Sequence, residues 1–380
     1  MNDQSPTAYV RPKDIDNRAT FWQRVQWRLE TIAWDLIYWA PVKAMGPDKA
    51  SDFGGWLLKK IGPRLSQHKT MRRNLRLAFP DWTETQIEQT AMAAWESAGR
   101  TAGELPHLPS IDPYTSGRVE IVGLDVLDAI RDSGKGAVFI SGHFANWEIM
   151  PAAITKRIPH AVMTYRALNN PHIDKRIADL RHDYGTAVNA PKGIGTRELM
   201  RALAKGSPIA LMNDQKFNEG IPVPFFGHEA MTAPGPSRLA LKYQVPIVPV
   251  STTRTGPARF RIEFHDPFVP QDTGDQEGDV RRSVQRITDF IEAQVRAHPG
   301  QWFWQHRRWP KEAWKEAGNS NAVGVFRRAV GVFVGVFREL IPAFSAGLST
   351  LFEPAHTSPE LIAFMIENRL VKGLGVLPSQ

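Results

Sequence analysis

The chain has 380 residues, 42% of them hydrophobic and 12 of them tryptophan. That exceeds the usual size of one domain, so one large α/β domain with helical additions, or two domains, is expected. Lys and Arg number 47 against 39 Asp and Glu, and the net charge of +8 favours anionic partners: nucleic acid, anionic lipid or an acidic carrier protein. Cysteine is absent, which excludes disulfides and thiolate chemistry.

The N-terminus is polar and charged through Arg18, without a secretory signal pattern. The apolar stretch from Trp27 to Met45 is interrupted by Arg28, Glu30, Asp35 and Lys43, whereas a spanning helix wants about 20 largely uncharged residues. Trp22, Trp27, Trp34, Tyr38 and Trp39 with basic flanks instead suit a helix lying in a membrane interface. Residues 16–105 read as helical. Lys59–Arg76 holds seven basic residues and no acidic one; Pro80 stops that helix, and Thr83 with Gln86 forms a capping box for the next. Pro106, Pro109 and Pro113 then mark a connector.

From Arg118 to Pro270 short apolar runs alternate with amphipathic helices. The predicted strands are 119–122, 136–141, 161–166, 186–189, 208–213, 246–253 and 259–265, with helices starting near Leu124, Asn146, Pro171, Gly195 and Pro236. This alternation predicts an α/β fold with a mostly parallel or mixed central sheet flanked by helices. Three regions result: a helical, membrane-associating region over 1–105, an α/β catalytic core over 106–316, and an appendage over 317–380. Within the last, Ala329–Phe337 is too short to span a bilayer, and Gly331 with Gly335 makes a small-residue pair suited to helix packing.

The candidate chemistry lies at Ser141-Gly142-His143-Phe144-Ala145-Asn146-Trp147-Glu148, at the carboxyl end of a predicted buried strand, where sites of such sheets lie. Imidazole is the base best matched to activating a hydroxyl near neutral pH, and a carboxylate on its other nitrogen fixes the tautomer. Spacing alone is weak, because His107 and Asp112 share it; but His107 sits in the proline-rich connector, whereas His143 follows a strand and a turn-permitting Gly142. His143 is therefore read as the base, Glu148 as its orienting acid and Asn146 as a helix N-cap beside the substrate. No GxSxG or Cys nucleophile is present, so direct attack is expected. Arg166, Asp214 and Gln215 close other predicted strands: Arg166 for a phosphate or oxyanion, the other two lining the pocket. A metal held by Asp214 with His143 and Glu148 lacks a second histidine at ligand spacing, so no metal is assigned. In Gln301–Pro310, three Trp with Arg307 and Arg308 suit a phosphate-bearing amphiphile. Nucleic acid is set aside, since no RNP, KH or P-loop signature is present.

Several motifs in order give a resemblance. They are Asn74-Leu75 with Ala78-Phe79-Pro80, His143 to Glu148, and Tyr165-Arg166 with Asn170-Pro171-His172-Ile173-Asp174. Asp214-Gln215, Pro224-Phe225-Phe226-Gly227 and Trp304-Gln305-His306-Arg307-Arg308-Trp309 follow. Over roughly residues 20–315 the chain resembles the bacterial late acyltransferases of lipid A biosynthesis, the lauroyl and myristoyl transferases, related to glycerolipid acyltransferases. The resemblance implies transfer of a fatty acyl chain from acyl carrier protein to a hydroxyl of a lipid A precursor or related anionic lipid. The setting it implies is a membrane surface at the cytoplasmic face of the inner membrane. It maps the catalytic pair onto His143 and Glu148 and a basic residue onto Arg166, and implies no cofactor. Another glycolipid or glycerolipid acceptor, a hydrolase activating water through His143, and a non-catalytic membrane-surface binder are the competing readings.

Overall fold

The computed structural model describes residues 19–165, 168–186, 188–191 and 195–316. Among the described residues nine strands are β1 Val119–Val122, β2 Val138–Ser141, β3 Val162–Tyr165, β4 Val188–Pro191, β5 Ile209–Met212, β6 Ile221–Phe225, β7 His228–Thr232, β8 Ile247–Gly256 and β9 Arg259–Phe264. Seven form one sheet in the order β1-β9-β8-β2-β5-β3-β4, parallel except for the antiparallel pairing of β8 with β9. The fold is thus a mixed, mostly parallel sheet flanked by helices, as the alternating pattern predicts. All four residues of β2 are buried, the signature of a strand covered on both faces. In β9 burial alternates with exposure along most of the strand, as expected where one face meets solvent.

The helical N-terminal region begins with α1 Phe21–Trp34, capped by Thr20, whose hydroxyl accepts from the Gln23 amide. A π-helical turn, Asp35–Trp39, and α2 Ala40–Ala44 continue it. Trp27, Trp34, Tyr38 and Val42 are buried along one face, at helix-compatible spacing. The Tyr38 hydroxyl donates to Ala102 O, and Asn170 Nδ2 donates to Trp27 O. The aromatic stretch therefore divides: Trp27, Trp34 and Tyr38 belong to the core, while Phe21, Trp22, Leu29, Ile32 and Leu36 remain exposed. No helix among the described residues is long and apolar enough to cross a membrane.

Helices α3 Pro47–Ile61, α4 Ser66–Ala78 and α5 Glu84–Glu104 complete this region, the last opened by the Thr83–Gln86 capping box. The expected connector at Pro106 is instead a 3₁₀ helix, Leu105–Ile111. Leu105, Leu108 and Ile111 fall on one line of that tighter helix, and all three are buried. His107 is buried there too, with Nε2 2.9 Å from Val42 O, and Asp112 pairs with Lys156, so these two residues form no site.

Further helices are α6 Leu124–Ser133, α7 Ile149–Thr155, α8 Pro171–Asp183, α9 Gly195–Ala204, α10 Gly235–Tyr243, α11 Gln276–Ala297 and α12 Lys311–Glu316. The hairpin β6–β7 is absent from the sequence reading, because Pro222 and Pro224 mask a strand pattern. Its two-residue turn, Phe226-Gly227, has positive φ at both positions (53° and 75°), as a tight hairpin twist requires. Arg166 and the segment 317–380, with its Gly331–Gly335 pair, lie outside the described residues.

Helices α3 and α5 cross so closely that a Cβ on Gly99 would overlap the carbonyl oxygen of Gly54. Overpacking of this kind costs about 1–3 kcal/mol or more. Gly99→Val is expected to lower the midpoint of thermal unfolding by several degrees, followed by circular dichroism. Gly235→Ala, where nothing lies within 4 Å of the added carbon, should leave it nearly unchanged.

Candidate active site

The register of two neighbouring strands builds the site. β2 and β5 run parallel with Ser141 opposite Met212, and Asn213 N donates to Ser141 O at 2.9 Å. Two residues beyond the last pair on each strand stand His143 and Asp214. Their meeting is therefore set by backbone pairing, outside the carboxyl ends of a parallel sheet where adjacent strands diverge into loops. Gly142 makes the turn passable: any side chain there would strike the Phe144 ring at 2.8 Å.

His143 Nδ1 lies 2.7 Å from Asp214 Oδ1, and the His143 amide donates to Asp214 Oδ2 at 2.8 Å. Trp302 Nε1 donates to the same Oδ2 at 2.8 Å. The carboxylate faces Nδ1, which assigns the proton to that nitrogen and leaves Nε2 as a lone-pair base. Gln215 Nε2 stands 3.5 Å from His143 Nε2. The imidazole is part-exposed while Asp214 is buried, so the dyad presents one working end to solvent. Trp147 and Phe303 wall it, with ring centroids 5.3 and 6.2 Å from that of His143. Burial pushes the His143 pKa down, but the charge and hydrogen bond of Asp214 outweigh it and the net shift is upward. Burial alone would raise Asp214; its interactions with His143 instead hold it well below the usual carboxylate range.

The sequence expectation for Glu148 is corrected here, because the carboxylate on the histidine ring is that of Asp214. Glu148 is bound by Arg181 of α8, through Nε at 2.8 Å and Nη2 at 2.6 Å. Burial raises the Glu148 pKa, but Arg181, with a smaller contribution from His143, brings it below normal. Glu148 thus ties the turn after β2 to α8 and adds negative charge near the imidazole. Asn146 is corrected as well. It is fully buried, its Oδ1 accepts from Glu148 N, its Nδ2 donates to Glu104 Oε2 at 2.9 Å, and α7 starts only at Ile149. With both ends engaged by protein, its side chain serves the turn and not a substrate.

The Trp-rich run is a packed corner. Trp302, Trp304 and Trp309 are buried, and Arg308, only 1% exposed, donates to Met231 O and Thr232 Oγ1 beneath the Phe225 ring. Burial pulls the Arg308 pKa down to about 10. Arg307 lies with its guanidinium 5.0 Å from the Trp314 ring centroid. The expected headgroup contact at this pair is therefore not what the buried Arg308 provides. His306, one ring beyond Phe303 from the dyad, is buried and its pKa falls to about 4, chiefly through desolvation, so it stays neutral. Among the described residues no cluster of three or more His, Asp or Glu side chains has a metal-holding arrangement.

Sequence reading missed Arg181 and Trp302 as partners of the site, and gave Asp214 only a lining role. Asp214 had a usable signal: it stands just past a buried strand, as His143 does. What was lacking was the knowledge that β2 and β5 are neighbours.

This geometry joins a strand-end base to a buried acid beside an aromatic wall. The sequence profile of the bacterial lipid A biosynthesis acyltransferase family matches residues 21–311. The chain belongs to this family. Similar relatives include a phosphatidylinositol mannoside acyltransferase of Mycolicibacterium smegmatis, 24% identical over 288 residues, covering 72% of this chain and 91% of the relative. Another of that description, from Mycobacterium tuberculosis, is 27% identical over 225 residues, 57% of this chain and 69% of the relative. The matched span takes in β2, β5, the dyad and Trp302, so the pairing described above lies inside the acyltransferase portion.

A base must be neutral to accept a proton, so acyl transfer should rise with pH along a limb set above the usual imidazole value of about 6.5. Asp214→Asn removes the charge that raises His143, moving the limb to lower pH, and loses tautomer control, lowering kcat by about 10⁴-fold. Steady-state kcat/KM between pH 5 and 9 measures both. A limb unmoved by the substitution would show that Asp214 does not set the basicity.

Proposed function

We propose that the chain transfers a fatty acyl group from acyl carrier protein to a sugar hydroxyl of an anionic glycolipid at a membrane surface. The observation that carries the reading is the His143–Asp214 pair at adjacent parallel strand ends, with Nε2 directed away from its acid. Nε2 takes the proton of the acceptor hydroxyl as its oxygen attacks the thioester carbonyl. Asp214 stabilises the imidazolium that forms. The tetrahedral oxyanion collapses, the carbon–sulfur bond breaks, and the imidazolium returns its proton to the departing thiolate. Arg166, assigned from the sequence, is the proposed cation for the oxyanion. No serine or cysteine nucleophile enters this scheme, so the acyl group passes directly between donor and acceptor.

Two acceptors are supported by different observations. Family membership favours a lipid A precursor, and the relatives' names favour a phosphatidylinositol mannoside. Both are sugar lipids carrying phosphate, which matches a chain of net charge +8. This charge also suits an acidic carrier protein and an anionic leaflet, and it supports a reaction at the cytoplasmic face of the inner membrane. Phe21, Trp22, Leu29, Ile32 and Leu36 supply the apolar contact, exposed on the side of α1 and the π turn that faces away from the core. Burying one such side chain contributes about 1.5–3 kcal/mol.

Purified chain incubated with acyl carrier protein bearing a fatty acid and with each glycolipid in turn is expected to add one acyl chain to one of them, read by mass spectrometry. His143→Ala should abolish it. Full activity in that variant would sink the reading, and thioester hydrolysis as fast without a lipid as with one would point to a hydrolase. In vesicle flotation with anionic phospholipid, Trp22→Glu combined with Leu36→Glu should weaken association at least about tenfold. Unchanged flotation would remove this face from the membrane contact.

A further inference from the structure

We propose that Glu104 and Arg254 form a buried charged clamp whose task is to position the catalytic turn, residues 143–146. The inference rests on the reading of His143 as the base. Glu104 closes α5 and is fully buried. Its Oε1 accepts from Ser51 Oγ at 2.7 Å and from Arg254 Nη1, and its Oε2 accepts from Asn146 Nδ2 at 2.9 Å. One carboxylate therefore joins three parts of the fold: α3 through Ser51, β8 through Arg254, and the turn through Asn146.

The turn needs holding. Ala145 adopts φ of +45°, a left-handed conformation that costs an alanine about 1 kcal/mol or more and persists only where its surroundings impose it. Both of its peptide groups are fixed. Ala145 N donates to Gln301 O at 2.8 Å. Ala145 O accepts from Thr101 Oγ1 at 2.8 Å, and Arg254 Nη2 lies 3.3 Å from the same hydroxyl. Gln301 is in turn bound to the Arg254 backbone in both directions, its Oε1 accepting from Arg254 N at 2.7 Å and its Nε2 donating to Arg254 O at 3.2 Å. Arg254 thus reaches the turn by three routes: through Glu104 to Asn146, through Thr101 to Ala145 O, and through Gln301 to Ala145 N.

A buried ion pair is a poor device for stability alone, since apolar replacements of similar volume are often as stable or more so. What such a pair does well is fix one geometry. Here the fixed geometry lies on the residues that follow the base, far from any contact of Glu104 or Arg254 with His143 itself. They are positioning residues: the dyad hydrogen bond comes from the β2–β5 register, and the clamp sets where the adjoining backbone lies relative to it. A displacement near 1 Å in such a place costs about 10²-fold in rate.

The test separates positioning from folding. In the full chain, Glu104→Leu/Arg254→Met removes both charges together and leaves neither unpaired. We expect its unfolding midpoint to remain near that of the wild type while kcat falls about 10²-fold. KM for donor and acceptor should stay within about twofold, and the acid limb of the pH profile should stay in place, because the His143–Asp214 bond is untouched. Thr101→Val removes the hydroxyl that links Arg254 to Ala145 O and also bonds Ser97 O, but leaves the Glu104–Arg254 pair in place. It should lower kcat roughly fivefold with KM unchanged, and it keeps the proposal testable if the double variant fails to fold. Wild-type kcat in either folded variant overturns the clamp. His143→Ala assayed alongside keeps the two failures apart. If that variant is active, the proposed function falls; if it is inactive while the clamp variants match wild type, only the clamp falls.

Discussion

A carboxylate as deeply buried as Asp214 stays ionised only when its lone pairs are taken by donors and a positive charge is close by. Three N–H groups supply the donors here: the amide and ring of His143 and the indole of Trp302. Each comes with a structural demand. The histidine must stand at the same height above β2 as Asp214 above β5, which fixes the strand register. The tryptophan must reach the same carboxylate oxygen as the His143 amide, which brings in the whole Trp302–Trp309 corner. Removing one donor would leave part of a charge unpaired in the interior, a loss of several kcal/mol. Stability of the corner and basicity of the imidazole are consequently two expressions of the same contacts.

The fold was largely legible because its core strands are short, continuous apolar runs bounded by polar turns, and those runs survive as β1 to β5, β8 and β9. Local chemistry was legible for the same reason: the Thr83–Gln86 capping box and the stop before Pro80 depend only on neighbours in the chain. Failures came where the deciding partner is distant. Glu148 looked like the orienting acid because it is five residues from His143, yet its carboxylate turns to Arg181, and the acid arrives from another strand. Arg308 looked like a headgroup ligand until packing placed it beneath Phe225. Hairpin β6–β7 was hidden by Pro222 and Pro224, which suppress the pattern without preventing a two-stranded ribbon.

The N-terminal segment shows how one helix serves two solvents. Its Trp27–Trp34–Tyr38–Val42 face is fastened to the core by packing and by hydrogen bonds from Tyr38 and Asn170. Its other face is apolar where a helix on a water-soluble surface would be charged. Apolar character on both sides defeats a simple amphipathic reading and explains why the sequence pattern named the right segment but mixed core aromatics with exposed ones. Because the helix is anchored through Asn170, at the N-terminus of α8, and α8 carries Arg181, a contact made by its outer face bears on an element that also touches the site.

The turn after β2 is stitched to residues far downstream. Phe144 bridges to Trp302, Ala145 N donates to Gln301 O, and Phe303 N donates to His143 O. Contacts so distant in sequence form only after a long loop has closed. A ribosome-bound chain that has just made its histidine therefore lacks both the acid, still to be translated at Asp214, and the tryptophan that holds that acid. Synthesis itself acts as a safety catch: the His143–Asp214 pair is assembled only when nearly the whole folded body exists, so an unfinished chain carries an imidazole without its acid.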